Sequence, residues 1–515
     1  MIRRVGFWAA LVVLTGAALF LRVLDIGNRP FHADESVHAF KLWDLYAKGR
    51  YVYDPDEFHG PTLYYAAEPI LAARHRRTIG DLTEADCRLA VAVLGALIVP
   101  ALALFMGGLS RRAILVSAAL VTLSPALTFY SRYFIQEVPL VLFTALMLGC
   151  WWRYSCHPSW GWAVACGAAA GLMIASKETA VLAIVCWLVA IALARAPRGG
   201  RVSARCRYSA IGVGVASAIV IGGLFLSGMG RNPSALTGYL RAFTPWMERA
   251  HATDLHAHHW AYYLRMLTWW RQAGTPVWTE ALALLLALVG ILSVTQREAT
   301  PQRTFARRLA VFTAALLAVY SAIPYKTPWC VLSPLFGLIL CAGVGGGWLL
   351  NARRPLWLRI SSGVLIAAGL THLGWLGWLT SFRYQVDPRN PYVYAQTVPD
   401  AIEVQRRAEA LAAVHPDHYR MVVKVFWNDA YYWPIPWYLR RFENVGYWQG
   451  LPANLEAPLI FASPDYDEEL TAKLDRTHLM NGYIGLRPRV LAQVWVGLDL
   501  WTRHIESRPR PVDSE

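Results

Sequence analysis

Long apolar stretches separated by short polar ones dominate the first 380 residues. Eleven can be marked, near 5–24, 88–106, 113–130, 135–152, 160–176, 179–194, 208–228, 277–296, 309–325, 329–350 and 360–380. A helix of about 20 apolar residues crosses the hydrocarbon core of a bilayer, so each stretch is expected to be a transmembrane helix. The first lacks a small-residue cleavage site and ends in Leu21-Arg22-Val23-Leu24-Asp25, which predicts a retained anchor and not a signal peptide. Beyond it, Ala39, Leu42, Trp43 and Tyr46 repeat at helical spacing, with Lys41, Asp44 and Lys48 on the other side. That pattern predicts an amphipathic helix lying in the membrane interface. From residue 381 the pattern changes: a helix near 399–414, strand-like runs at 421–426 and 458–462, a helix near 465–475 and an alternating run over 483–496. The expected architecture is an α-helical polytopic membrane protein of about eleven spans over 1–380, followed by a small α/β domain over 381–515.

Charge fixes the orientation of those spans. Only 16% of the 515 residues are charged, against about 25% in soluble chains, and the net charge is +15. The arginines lie between apolar runs and not on a separate polar domain, which argues against a nucleic-acid partner. With the N-terminus cytoplasmic, the connections 1–4, 107–112, 151–159, 195–207, 297–308 and 351–359 hold seventeen arginines and one acid, Glu298. Short loops rich in Lys and Arg stay cytoplasmic. The loops 25–87 and 229–276 and the domain 381–515 are then extracytoplasmic, and a plasma membrane suits a chain with its bulk outside. The eight cysteines form no CxxC pair and read as buried apolar residues.

This orientation sends the unusual polar clusters to one side of the bilayer. They are His32-Ala33-Asp34-Glu35-Ser36, His59-Gly60-Pro61-Thr62, Ser131-Arg132-Tyr133, Ser176-Lys177-Glu178 and Pro324-Tyr325-Lys326-Thr327-Pro328. Polar groups from separate connections gathered on one face describe a site built on a rigid scaffold. Taken singly, each has a structural alternative. Asp34 could be the N-cap of the amphipathic helix, and His59 a surface residue. Arg132 could anchor the interface, a role that leaves Glu137 without a reason at a span edge. Lys177 and Lys326 stand out because the chain has six lysines against forty-three arginines. A compact ammonium suits a point contact to phosphate, while snorkelling from a helix end explains either lysine equally. His251, His256, His258 and His259 resemble a metal site in spacing, but nothing fixes a geometry, and they are left out of the site.

The Asp34-Glu35 pair, the interfacial helix and the following Pro61-Thr62-Leu63-Tyr64-Tyr65 together resemble GT-C glycosyltransferases, especially protein O-mannosyltransferases and lipid A aminoarabinose transferases. The set with His59-Gly60-Pro61, Ser131-Arg132-Tyr133 and Lys326-Thr327-Pro328-Trp329 also resembles a bacterial and archaeal family linked by name to lipid-sugar flipping and N-glycosylation. The resemblance implies an inverting enzyme that transfers a sugar from a polyprenyl-phosphate donor to an acceptor hydroxyl on the non-cytoplasmic face. It implies Asp34 as catalytic base, with Glu35 orienting the acceptor or a metal. Arg132, Lys177, Lys326 and His59 become the candidate donor-phosphate contacts, with Glu137 and Tyr64 as further site candidates. Phe58 stands where the aminoarabinose transferases carry a metal-binding Glu, so a divalent metal cofactor is left open. A catalytically inactive protein that binds lipid-linked sugar, alone or beside a flippase, is the alternative. The aromatic run 431–438 could stack on sugars, face the interface or be core, and receives no role.

Overall fold

The computed structural model describes residues 2–54, 59–194, 204–244, 247–248, 256–295 and 300–508. Each of the eleven apolar stretches contains a helix, although residues 277–280 and 323–325, at the edges of two of them, are not helical. Among the described residues six helices are long and apolar enough to cross a membrane: Val5–Val23, Glu84–Phe105, Ser209–Leu226, Pro301–Ala322, Pro328–Leu349 and Leu356–Arg383. Trp160–Ile174, Ala180–Leu193 and Ala281–Ser293 are apolar but shorter. Much of the arginine-rich connection 195–207, with Glu298, Phe58 and His251, lies outside the described residues.

The stretch 113–130, expected as one helix, is two: Arg111–Leu123 and Pro125–Tyr130. Pro125 has no N–H to donate and its ring clashes with the preceding turn, so Ser124 leaves the helical region at ψ 124°. The break is sealed by side chains. Ser124 Oγ accepts from Leu127 N at 3.3 Å and donates to Glu280 Oε1 at 2.6 Å, and that carboxyl also accepts from Ala126 N at 3.2 Å.

The chain folds as two compact units. The first comprises Met1–Ile26, Asp44–Ile70 and Ala85–Tyr394. Its helices meet through glycine. A Cβ on Gly167 would lie 1.9 Å from the Gly214 carbonyl oxygen, and one on Gly345 would lie 2.0 Å from that of Leu286. Close backbone approach through small residues is how helices associate where lipid removes the hydrophobic drive.

The second unit comprises Gly27–Trp43, Leu71–Glu84 and Ala395–Glu515. Its centre is a five-stranded sheet of β1 (Val423–Trp427), β2 (Val445–Gln449), β3 (Leu459–Ala462), β4 (His478–Arg487) and β5 (Val490–Gly497), in the order β2-β1-β3-β5-β4. Strands β2, β1 and β3 run parallel, while β5 is antiparallel to both β3 and β4. The alternating run expected over 483–496 is the β4–β5 hairpin, and β2 is an additional edge strand. Phe426, Ile460, Leu470 and Trp495 form a buried core beneath the helix Asp467–Leu474.

Two short segments from early in the sequence are built into this unit. Gln396 Nε2 donates to Pro30 O at 3.2 Å and Thr397 Oγ1 to Phe31 O at 2.7 Å. The Phe31 ring lies 4.3 Å from that of Trp437, and Phe31 N donates to Tyr438 Oη at 3.3 Å. Trp437 Nε1 in turn donates to Glu84 Oε1 at 2.8 Å, and Arg440 donates to Leu82 O.

Candidate functional site

Asp34 sits at the start of the helix Ala33–Lys48, the amphipathic segment read from the sequence. It is not the cap. His32 precedes the helix, and its Nδ1 accepts from Asp34 N at 3.1 Å. Glu35, three residues after His32, reaches back to accept from His32 N at 3.1 Å. This is the reciprocal logic of a capping box, with an imidazole in place of a hydroxyl. Because His32 Nδ1 accepts a backbone proton, the 3.8 Å approach of Asp34 Oδ1 to it is not a salt bridge.

The two neighbouring acids therefore differ sharply. Glu35 is fully buried, and Arg29 Nη2 stands 3.5 Å from its Oε2. The Asp34 side chain keeps 48% of its surface open. Glu35 secures the turn and Asp34 is presented by it, at the positive end of a helix dipole where a carboxylate is stabilised.

In the first unit, the segment after residue 58 docks against the connection that carries Lys177. Thr62 Oγ1 and Ser176 Oγ share a hydrogen bond of 2.6 Å, and Thr62 N donates to Ala175 O at 3.3 Å. A Cβ at Gly60 would lie 2.1 Å from that same Ala175 oxygen, so only glycine lets the two backbones meet. His59 Nδ1 lies 2.7 Å from Glu178 Oε2, and Tyr53 Oη donates to Glu178 Oε1 at 2.9 Å. Burial pushes the Glu178 carboxyl up, but His59 and the Tyr53 hydroxyl more than offset it and hold the group below the ordinary range. Tyr64, in the first turn of Thr62–Ala73, is wholly buried with its ring 5.7 Å from Tyr51.

Lys177 is also buried and its ammonium pairs with Glu137. Burial works against that charge, and the Glu137 carboxyl overrides burial, holding the lysine above its usual range. His59, Lys177, Glu137 and Tyr64 are thus brought into one neighbourhood by Ala175-Ser176-Lys177-Glu178. Glu178 and Tyr53 belong to this neighbourhood and received no role from the sequence; in the second unit the same is true of His32 and Arg29.

Arg132 has different partners. Its Nη1 donates to the Leu21 and Arg22 carbonyls, each at 3.2 Å, and to Leu24 O, while Nη2 donates to Asp25 O at 3.2 Å. Arg88 Nη1 adds a bond to Ile26 O at 3.0 Å. The last carbonyls of a helix lack intrahelical donors, and cations are favoured at its negative end. Arg132 closes the first helix and lies over the Phe382 ring at 4.5 Å.

Lys326 is 1% exposed, donates through Nζ to Ile323 O, and has no carboxylate partner among the described residues. Its backbone pairs with the long loop, Lys326 N donating to His256 O at 2.9 Å and His258 N to Pro324 O at 3.0 Å. Burial lowers the Lys326 ammonium. Burial also lowers His258, and Lys326 and His256 add to the effect. Among the described residues no three His, Cys, Asp or Glu side chains gather as a metal site.

Residues 12–199 match the family model described as dolichyl-phosphate-mannose-protein mannosyltransferase. No curated protein sequence matches the chain. Two crystal structures of ArnT from Cupriavidus metallidurans share its fold. The apo form has a TM-score of 0.62 at 16% identity, covering 94% of this chain and 97% of that one. The form bound to undecaprenyl phosphate has a TM-score of 0.60 at 17% identity over the same shares. The archaeal oligosaccharyltransferase AglB from Archaeoglobus fulgidus, in complex with an inhibitory peptide and a dolichol-phosphate, has a TM-score of 0.58 at 11% identity, covering 90% of this chain and 70% of that one. The chain shares the fold of these structures.

Proposed function

We propose that this protein is a multi-pass membrane glycosyltransferase that moves a sugar from a polyprenyl-phosphate donor to an acceptor hydroxyl on the non-cytoplasmic side. One observation carries the reading: on a chain with this fold, a half-exposed carboxylate, Asp34, is presented by a turn that buries its neighbour Glu35 to hold it. The likeness to ArnT extends over nearly the whole of both chains, and one ArnT structure contains undecaprenyl phosphate. That supports the donor class. The eleven-span topology with a cytoplasmic N-terminus rests on the arginine distribution.

In this reading Asp34 takes the proton of the acceptor hydroxyl, as a general base within hydrogen-bond reach. The acceptor oxygen attacks the anomeric carbon, and the carbon–oxygen bond to phosphate breaks on the opposite face. Configuration inverts, and the electron pair leaves with the polyprenyl phosphate. Cations already oriented where that charge develops lower the barrier. Lys326, which has no carboxylate partner among the described residues, is the first candidate for this role, and His59 the second. Lys177 and Arg132 act through the groups they already hold, Glu137 and the end of the first helix. Glu35 positions Asp34 through the His32 turn. A divalent metal at Glu35 would have to displace Arg29 and the His32 N–H, so no step is routed through one.

The test is transfer of radiolabelled sugar from a mixed pool of polyprenyl-phosphate sugars by purified protein, with and without chelator. Asp34→Asn is expected to cut the rate by about 10²–10⁴-fold, the span of general-base catalysis, with an unchanged melting profile. Transfer retained in that variant sinks the assignment of the base. Donor binding without transfer by wild type moves the protein to a lipid-linked-sugar binding or flippase-associated role.

A further inference from the structure

The second unit places a group of side chains beside Asp34 that the transfer reaction above does not use. Arg487, at the end of β4, donates from Nη2 to Tyr431 O at 2.9 Å, and its guanidinium lies 5.5 Å from the centre of the Tyr431 ring. Its Nε is buried and has no partner among the described residues. Asp34 and Asp429 are the carboxylates in its electrostatic reach. Asp429 Oδ1 accepts from Tyr431 N at 2.8 Å, fixing the loop that carries the ring, and the ring itself is 53% exposed.

The placement is locked from two sides. On one, Phe40, on the same helix as Asp34, packs edge-on to Trp433 at 5.7 Å. Trp433 stacks on Tyr432, which stacks on Tyr447 of β2 at 5.4 Å. On the other, Val398 N donates to Leu486 O at 3.0 Å, next to Arg487. The adjoining Thr397 holds Phe31 O, next to the His32 cap. The helix start and the strand end are tied through three consecutive residues, 396–398.

We infer that Asp34, Arg487 and Tyr431 form the subsite for a carbohydrate acceptor; the inference rests on the reading of Asp34 as the base. Sugar hydroxyls both donate and accept, matching an acceptor carboxylate beside a guanidinium, which only donates. The open tyrosine face supplies an apolar platform for a pyranose or furanose ring. A free anion fits less well, because two carboxylates, Asp34 and Asp429, already lie within electrostatic range of the one guanidinium. The subsite gives the C-terminal unit a share in choosing the acceptor while the donor is held elsewhere.

The experiment reads binding without turnover. Full-length protein in lipid nanodiscs, free of sugar-headed detergent, is titrated with methyl mannoside, glucoside, galactoside and arabinofuranoside, followed by saturation-transfer NMR. Wild type is expected to bind at least one glycoside saturably. Arg487→Ala and Tyr431→Ala should each weaken it tenfold or more, and Arg487→Lys, which keeps charge but loses the planar fork, by less. Tyr483→Ala, an equally exposed tyrosine on β4, should stay within twofold. Arg487→Lys also serves as the reporting variant if Arg487→Ala does not fold. The proposal falls if no glycoside binds wild type, if neither Arg487 nor Tyr431 matters, or if inorganic phosphate binds more tightly than any glycoside. Asp34→Asn in the transfer assay reports on the base alone, so the two readings fail separately.

Discussion

Lys177 and Glu137 were each singled out for a reaction, yet both side chains are only 6% exposed and hold one another. Removing one partner of such a pair leaves a buried charge uncompensated, at a cost of about 3–5 kcal/mol. Lys177→Met and Glu137→Leu should each destabilise by about that much, and the double variant should recover most of the loss. Tryptophan-fluorescence melting in nanodiscs measures this. If the stable double variant still transfers sugar, Lys177 is a structural cation and not a phosphate contact. Glu178 answers to pH instead. Its folded-state carboxyl is held below the ordinary range, so its contribution is present above the unfolded value of about 4.3. That contribution is lost as pH falls through the lower, folded value. The stability gap between wild type and Glu178→Gln should therefore be complete at neutral pH and close in acid. A gap that is flat with pH refutes the His59–Glu178 account. At this scale the acids and cations were legible because so few polar residues interrupt the apolar runs. Their pairings were not legible: a salt bridge between residues 137 and 177 depends on how a helix start meets a connection forty residues on.

Elements were read well where periodicity is long and badly where one residue decides. Each of the eleven apolar stretches contains a helix because burial and lipid both reward the same residues. Pro125 split one of them, and its effect was hidden by the apolar residues on either side. The alternative weighed for Asp34, an N-cap of the helix Ala33–Lys48, arose because N-caps are expected to be Ser, Thr, Asp or Asn. His32 does the work with a ring nitrogen. Strand β2 was missed because Val445-Gly446-Tyr447-Trp448-Gln449 is an edge whose one partner, β1, lies eighteen residues back. The approach of the His59 segment to Ala175 is fixed by Gly60, and this makes a prediction at the level of the element. Gly60→Ala must move one backbone away from the other to clear a 2.1 Å contact. It should release the 2.6 Å bond between Thr62 and Ser176 and raise proteolysis of the 59–62 segment several-fold, whereas Gly161→Ala, which meets nothing within 4 Å, should not. Equal cleavage of the two variants would show that the docking does not hold the segment.

For the molecule as a whole, orientation is the property on which the chemistry depends, and it rests on seventeen arginines and one acid in six short connections. In the proposed reaction a polyprenyl-phosphate sugar must reach Asp34 from the side to which Asp34 is exposed. The arginine distribution is the reason to expect the loop 25–87 and the C-terminal unit there, and the connection 151–159 on the other side. Cys156 is exposed at the end of the helix Glu137–Cys156, in that connection. In a variant keeping Cys156 alone, a membrane-impermeant maleimide should label inverted vesicles and spare intact cells. With Cys156 removed and Glu468→Cys introduced on the C-terminal unit, where residue 468 is exposed, the pattern should reverse. Labelling of both sites from one side would break the inference at its root, because Asp34 and the C-terminal unit would then lose their shared non-cytoplasmic address. Opposite labelling would leave the chemistry of Asp34, Lys326 and Arg487 to be resolved by the transfer and binding measurements, with the face of the membrane no longer in question.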